Sequence, residues 1–381
     1  MRKQSGIMAA GLMIAVLTAG CGQKEAGTSA PAQTTAAQTT AQETKAPETT
    51  TAAETTTAEE TTTAEETTGA ETESAGGYRT GLAIVSSMTS SKEAGEKDGT
   101  AQVDSVVAAV VVDEEGKIVS CYLDTAQNKM GFTVEGKVVM KEDFQTKKEL
   151  GDEYGMKAAS GIGKEWFEQA KALEEYVIGK TADEVAGIAV DESTKATDVD
   201  LLAGVTIKIG SYKEAIVEAA ENARAVGTQP GDKLGVGIIT DMHKSKDAEA
   251  DKDGQCQAYS TYVAVTTDAD GKITAAIIDA TQGTVKFDAQ GKITSDLAGG
   301  VKTKRQLGDD YGMRAASGIG KEWFEQAAVM EEYLVGKTAK GVLEIAVDES
   351  EKPTDPDLLA GVTVSIGGYQ TAAAKAVENA R

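Results

Sequence analysis

A single histidine, His243, serves the whole 381-residue chain. One imidazole cannot build a Ser-His-Asp or Cys-His nucleophile set or a multi-histidine metal centre, so those enzyme classes are excluded. His243 itself reads as a surface residue. Cysteine is also scarce. Cys121 and Cys256 fall at non-equivalent positions of two related halves of the chain, and they read as separate, largely buried thiols, with a disulfide between them as the alternative. Positive charge is short as well. With 38 Lys and Arg against 61 Asp and Glu, the net charge of -23 opposes a nucleic-acid partner, because phosphate backbones require a positive face. Nucleotide-binding loops are missing. "GKT" at 179–181 and 336–338 lacks the earlier glycine, and "GIGKEW" at 161 and 318 runs into Glu where Ser or Thr is needed. "EADKDG" at 249–254 starts like a calcium loop, but Ser260 stands where a bidentate Glu belongs, so it reads as a solvated turn.

The N-terminal part lacks bulk. After Arg2 and Lys3, an apolar stretch at 7–17 and small residues lead to Cys21, the pattern of a secretory signal. Ala19-Gly20-Cys21 resembles a bacterial lipobox, which implies a signal peptide over 1–20, a lipidated Cys21 and anchoring in a lipid membrane on the extracytoplasmic face of a bacterial cell. An ordinary signal peptide with an unmodified Cys is the alternative. Residues 27–76 are almost all Thr, Ala, Glu, Gln and Ser, with no aromatic residue. Such a segment buries too little apolar surface to offset its ordering entropy, so 21–76 is expected to be a disordered, self-repelling tether.

The rest is a duplication. Residues 150–224 and 307–381 align without a gap and agree at 52 of 75 positions, which gives two units, 77–225 and 231–381. Each is long enough for its own core, and the Gly- and Pro-bearing stretch 225–233 between them predicts independent folding. The first parts of the copies, "VVAAVVVDEEGKIVSCYLDT" and "YVAVTTDADGKITAAIIDAT", read as hairpins turning at Gly116 and Gly271. Later come helices, with Trp166, Ala170, Leu173 and Val177 on one stripe and a closing helix over 212–223. Strands followed by helices predict an α+β class.

Both copies carry one further run, "DLLAGVT", from Asp200 to Thr206 and from Asp357 to Thr363. It resembles the acceptor site of the FMN-binding domain family, in which a flavin transferase joins FMN through its phosphate to a Thr hydroxyl. Asp, Gly (Gly204, Gly361) and Thr match with the right spacing. Ala203 and Ala360 replace Ser or Thr, and Val205 and Val362 replace a small residue. The longer match, "LGDEYGMKAASGIGKEWFEQA" with its copy "LGDDYGMRAASGIGKEWFEQA", is similar to membrane-anchored lipoproteins of extracellular electron transfer with two such domains. The resemblance implies tandem FMN-binding-like domains and FMN on Thr206 and Thr363. It also implies a membrane quinone-linked electron donor, an extracellular acceptor and no substrate transformation of the chain's own. Tyr154, Met156 and Trp166, with Tyr311, Met313 and Trp323, become candidates to flank the flavin ring, against a core-packing role.

Two other readings stay open at this level. In one, "LLAGVTIKI" is a buried strand with Thr as a β-branched filler. In the other, the chain is a surface lipoprotein without flavin that binds a small ligand or a partner protein. A nucleophilic enzyme is the weakest reading, because no base stands beside a suitable nucleophile.

Overall fold

A computed structural model describes residues 77–139 and 143–381. The signal, Cys21 and the tether lie outside the described residues.

The described chain is α+β, with two antiparallel sheets. The first runs β1 (Arg79–Ser87), β2 (Gly99–Val112), β3 (Ile118–Phe132) and a short β4 (Val138–Val139), in that order across the sheet. The second runs β5 (Lys233–Asp241), β6 (Gly254–Thr267) and β7 (Ile273–Phe287). The expected hairpins are present. At the first tip Gly116 takes φ 77°, and the Asp113 carboxylate accepts the Glu115 and Lys117 amides, which fixes the turn where only glycine is unstrained. A bulge falls at corresponding places, between Val111 and Val112 and between Thr266 and Thr267.

Helices follow in each half. The first half has α1 (Lys147–Leu150), α2 (Trp166–Val177), α3 (Ala182–Ala186), α4 (Val199–Leu202) and α5 (Gly210–Glu221). The second repeats them as α6 (Lys304–Leu307), α7 (Trp323–Leu334), α8 (Ala339–Leu343), α9 (Pro356–Leu359) and α10 (Gly367–Glu378). The stripe of α2 packs on β3, burying Trp166, Ala170, Leu173 and Val177 in one cluster with Ile118 and Leu123. The closing helices sit closer still: a Cβ on Gly81 would lie 1.7 Å from the Ala219 carbonyl oxygen, so only glycine lets α5 reach β1.

Each sheet has a second buried face, and the two sheets meet there. Alternate residues of the strands point to opposite faces. Thus Val107, Ala109 and Val111 point away from the helices and join Leu82, Ile84 and Tyr122 in one apolar cluster with Leu234, Val236, Ile238, Tyr262, Ala264 and Ile277. Further along, Phe132 stacks on Phe287, with ring centres 4.4 Å apart and planes 8° from parallel. The layers run helix, sheet, sheet, helix. The two halves, expected to fold independently, therefore share this apolar cluster, each covering a face of the other. The reason is legible in hindsight: "VVAAVVV" does not alternate with polar residues, as a strand buried on both faces must not.

Ion pairs lock the seam reciprocally. Arg224 of the first half pairs with Glu331 of the second at 2.7 Å, and Arg381 of the second pairs with Glu174 of the first at 2.7 Å. Both glutamates are buried, and each also accepts a strand amide, from Leu123 or Ile278. Lys148 on Glu174 and Arg305 on Glu331 complete the two networks. Buried charges held this way are costly to leave half-paired.

Candidate functional site

The "DLLAGVT" run is not a strand. Asp198 caps α4, its carboxylate accepting the amides of Asp200 at 2.9 Å and Leu201 at 3.2 Å, and Asp355 does the same for Asp357 and Leu358 in α9. These bonds hold the Asp198 and Asp355 carboxyls below their usual range, the amides being the main cause. The turn then closes on itself, the Gly204 and Val205 amides both reaching the Leu201 carbonyl. Leu201 and Val205 point into the core, while Thr206 is left half-buried at the rim.

What holds Thr206 is Gln169. The Gln169 side chain is fully buried on α2, and its carboxamide oxygen accepts the Thr206 amide at 2.8 Å, the Thr206 hydroxyl at 3.2 Å and the Ile207 amide at 3.2 Å. Its nitrogen donates to the Ser160 hydroxyl at 3.1 Å and the Lys164 carbonyl at 3.2 Å. Every polar atom of the carboxamide is thereby used, as a buried amide requires. The second half repeats the clamp: Gln326 accepts from the Thr363 amide at 2.9 Å and hydroxyl at 3.4 Å, and donates to Ser317 and the Lys321 carbonyl. The two sequence motifs thus converge on one place, the long motif supplying Ser160, Lys164 and Gln169 and the short one supplying Thr206.

Gly204 and Gly361 have a packing reason. A Cβ on Gly204 would lie 2.9 Å from the Ala172 methyl, and one on Gly361 would lie 2.7 Å from Val329. Val205 and Val362 are fully buried, so the bulk that departs from the family pattern faces the core. Asp200 and Asp357 are exposed on the first turns of α4 and α9, and their amides, not their carboxylates, enter the cap bonds. The structural aspartates are Asp198 and Asp355, two residues earlier.

The aromatic candidates divide. Trp166 and Trp323 are enclosed in the core, their indole N–H groups donating to Tyr212 at 2.9 Å and Tyr369 at 2.7 Å. They are packing residues, as the helix stripe had suggested. Tyr154, Met156, Tyr311 and Met313 are half-buried against the two cores. A lysine stands over the tyrosine rings: Lys147 lies 5.0 Å from the Tyr154 centre, and Lys304 lies 4.6 Å from Tyr311, 4.7 Å from Tyr259 and 5.0 Å from Trp323. Lys304 is buried, and that burial pulls its pKa down to about 7.

Among the clefts at the seam, two are related by the repeat, and neither threonine lines them. One of about 470 Å³ is lined by Tyr122, Asp124, Lys148, Phe167, Lys171 and Arg381, and its counterpart of about 290 Å³ includes Asp279, Arg305, Asn222 and Arg224. Burial raises Asp124 and Asp279 to about 6. His243 is exposed beside Asp241, the 249–254 segment is a turn bridged from Glu249 to Lys252, and Cys121 and Cys256 are free thiols. Among the described residues no group of three His, Cys, Asp or Glu is placed to hold a metal ion, and no helix is long and apolar enough to cross a membrane.

Sequence reasoning missed Gln169, Gln326, Asp198 and Asp355. A signal for the glutamines existed: each sits three residues after a core Trp, on the buried side of an amphipathic helix, in both copies.

Compared with known proteins, the chain is 39% identical over 98 residues to a chlorophenol reductase of Desulfitobacterium hafniense. The match covers 26% of this chain and 28% of that protein, so the chain spans well under a third of its relative's length there. No protein-family model matches the chain, and no solved structure matches it.

Proposed function

We propose that this chain is an extracytoplasmic electron carrier, anchored to the bacterial membrane through a lipidated Cys21, with FMN joined covalently to Thr206 and Thr363. The observation that carries the reading is the twofold presentation of a half-buried Thr hydroxyl by a fully buried Gln. A filler threonine in a strand would need no such clamp. The partial likeness to a reductase favours redox work.

The residues present fit a phosphoester at that hydroxyl. It lies at the rim of the core, on a turn in which Gly204 allows close backbone approach. A Thr hydroxyl is a weak nucleophile, and among the described residues no histidine is bonded to it, so activation belongs to a separate flavin transferase. Gln169 orients the acceptor by fixing its amide and the next one, and Asp198 fixes the turn that leads to it. FMN bound there would supply reversible electron uptake, passing electrons from a quinone-linked donor in the membrane to an extracellular acceptor. On this reading the chain performs no substrate chemistry itself.

The test is covalent flavin on protein taken from its native envelope. Flavin absorbance should persist through denaturation, and peptides bearing Thr206 and Thr363 should each gain the mass of FMN less one water. Thr206→Ala should remove one equivalent and the double variant both, with the fold retained. Native protein without bound flavin at either threonine would favour a ligand-binding lipoprotein, for which the seam clefts around Asp124 and Asp279 are candidate sites.

A further inference from the structure

Beside the turn that leads to Thr206 stands a lysine that joins no ion pair among the described residues. Lys164 is half-buried, it directly precedes the Glu165 cap of α2, and its carbonyl takes one bond from Gln169. Its ammonium lies 4.0 Å from where a Cβ on Gly204 would be, two residues before Thr206. Among the described residues it joins no ion pair, whereas the similarly half-buried Lys148 is held by Glu174. In a chain of net charge -23 an idle, partly sheltered cation is unexpected. The duplicate carries the same residue: Lys321 is half-buried, joins no ion pair among the described residues, and is bonded through its carbonyl to Gln326.

Other groups near the hydroxyl are already committed. The Glu165 carboxylate accepts the Met156 and Lys157 amides, and the Glu165 amide is taken by Glu168, so the start of α2 is closed by its own acidic residues. Gln169 offers only an acceptor toward Thr206, both its donors being used elsewhere. Lys164 is a half-buried positive group beside this turn, whereas Lys208, two residues after Thr206, is exposed.

We propose that Lys164 and Lys321 bind the phosphoryl group carried at Thr206 and Thr363. This rests on the carrier reading above. In the transfer, Thr206 Oγ1 attacks the flavin-side phosphorus of a flavin dinucleotide. An O–P bond forms, the pyrophosphate P–O bond breaks, AMP leaves, and the hydroxyl proton passes to a base of the transferase. The product is a phosphodiester with one negative charge, and its bridging oxygen has no proton left for Gln169. Gln169 keeps the Thr206 and Ile207 amides, which hold the loop. The ammonium of Lys164 supplies the charge-assisted bond to a non-bridging oxygen.

The experiment follows each threonine separately. Full-length chain made in cells without a transferase is incubated with a bacterial flavin transferase, flavin adenine dinucleotide and magnesium, and FMN mass on the Thr206 and Thr363 peptides is followed in time. Lys164→Gln should slow loading at Thr206 about tenfold, the weight of one charged hydrogen bond, and leave Thr363 at the wild-type rate. Lys321→Gln should do the reverse, and Lys164→Arg should recover most of the loss. Equal slowing at both threonines, no slowing at Thr206, or failure of Arg to rescue would overturn the lysine assignment while leaving the carrier reading intact. Absence of loading in the wild-type chain would instead remove the carrier reading.

Discussion

Thr206 and Gln169 stand 37 residues apart and share one oxygen atom, the carboxamide Oε1 that accepts both the amide and the hydroxyl of the threonine. The same oxygen takes the Ile207 amide. Replacing it with a carbon should therefore leave two backbone N–H groups without a protein partner. Gln169→Leu is expected to cost about 2 to 3 kcal/mol, the usual penalty for stranding such donors. Gln326→Leu should cost less, because that oxygen takes its bonds from Thr363 alone. Denaturant midpoints measure both, and an unchanged midpoint for Gln169→Leu would show that the clamp is ornamental.

Much of this was readable in the chain. The hairpin tips at Gly116 and Gly271, the Trp166–Val177 helix and the duplication were all signalled by turn residues, periodicity or identity. Two things were hidden. Strand pairing across a seam is long-range, and nothing local in "VVAAVVV" says whether its second face meets a helix or another sheet. The Gln169 clamp joins residues from two motifs, and a buried glutamine on a helix stripe resembles a pattern error until its partner loop is known. The cap role of Asp198 was hidden for a related reason, since Asp198 and Asp200 stand two residues apart at the start of α4 and only backbone geometry picks the cap.

Val205 offers a second test. Its side chain is fully buried among Leu201, Leu173 and their neighbours in the first core. Val205→Ala should open a small cavity and cost about 2 kcal/mol. Because the valine faces inward, the same variant should load flavin at Thr206 no faster than wild type under saturating transferase. Faster loading would mean that the valine does crowd the acceptor.

The seam makes a third. A chain of residues 231–381 alone would expose Leu234, Val236, Ile238, Tyr262, Ala264 and Ile277, and would leave Glu331 without Arg224. Apolar faces of this kind do not stay in water. The isolated half should self-associate or melt without cooperativity, while the two halves co-expressed as separate chains should recombine. Ultracentrifugation and thermal melts decide the matter, and a monodisperse monomer with a sharp transition would refute the shared core.

Lys304 provides the last. It lies among Tyr259, Tyr311 and Trp323, with its ammonium 2.8 Å from the Tyr259 hydroxyl, and burial lowers its pKa from 10.5 to about 7 while Asp279 pulls the other way. A lysine depressed in the fold binds its proton more weakly there than in the unfolded chain. Between the folded and unfolded values the unfolded state holds more protons, so stability rises with pH through that window. It is lower at and below about pH 7, where both states are largely charged and the fold bears the cost of a buried cation. Tyrosines add an opposite slope near pH 10, where the unfolded chain ionises first, so the comparison belongs below that point. Between about pH 7.5 and about pH 9.5 the wild-type chain should gain about 2 kcal/mol relative to Lys304→Met, which has no proton to lose at this position. Denaturant midpoints of the two proteins at both pH values give the difference directly. Parallel pH profiles would mean that Lys304 is charged and solvated in the native protein, and that the aromatic box around it is open.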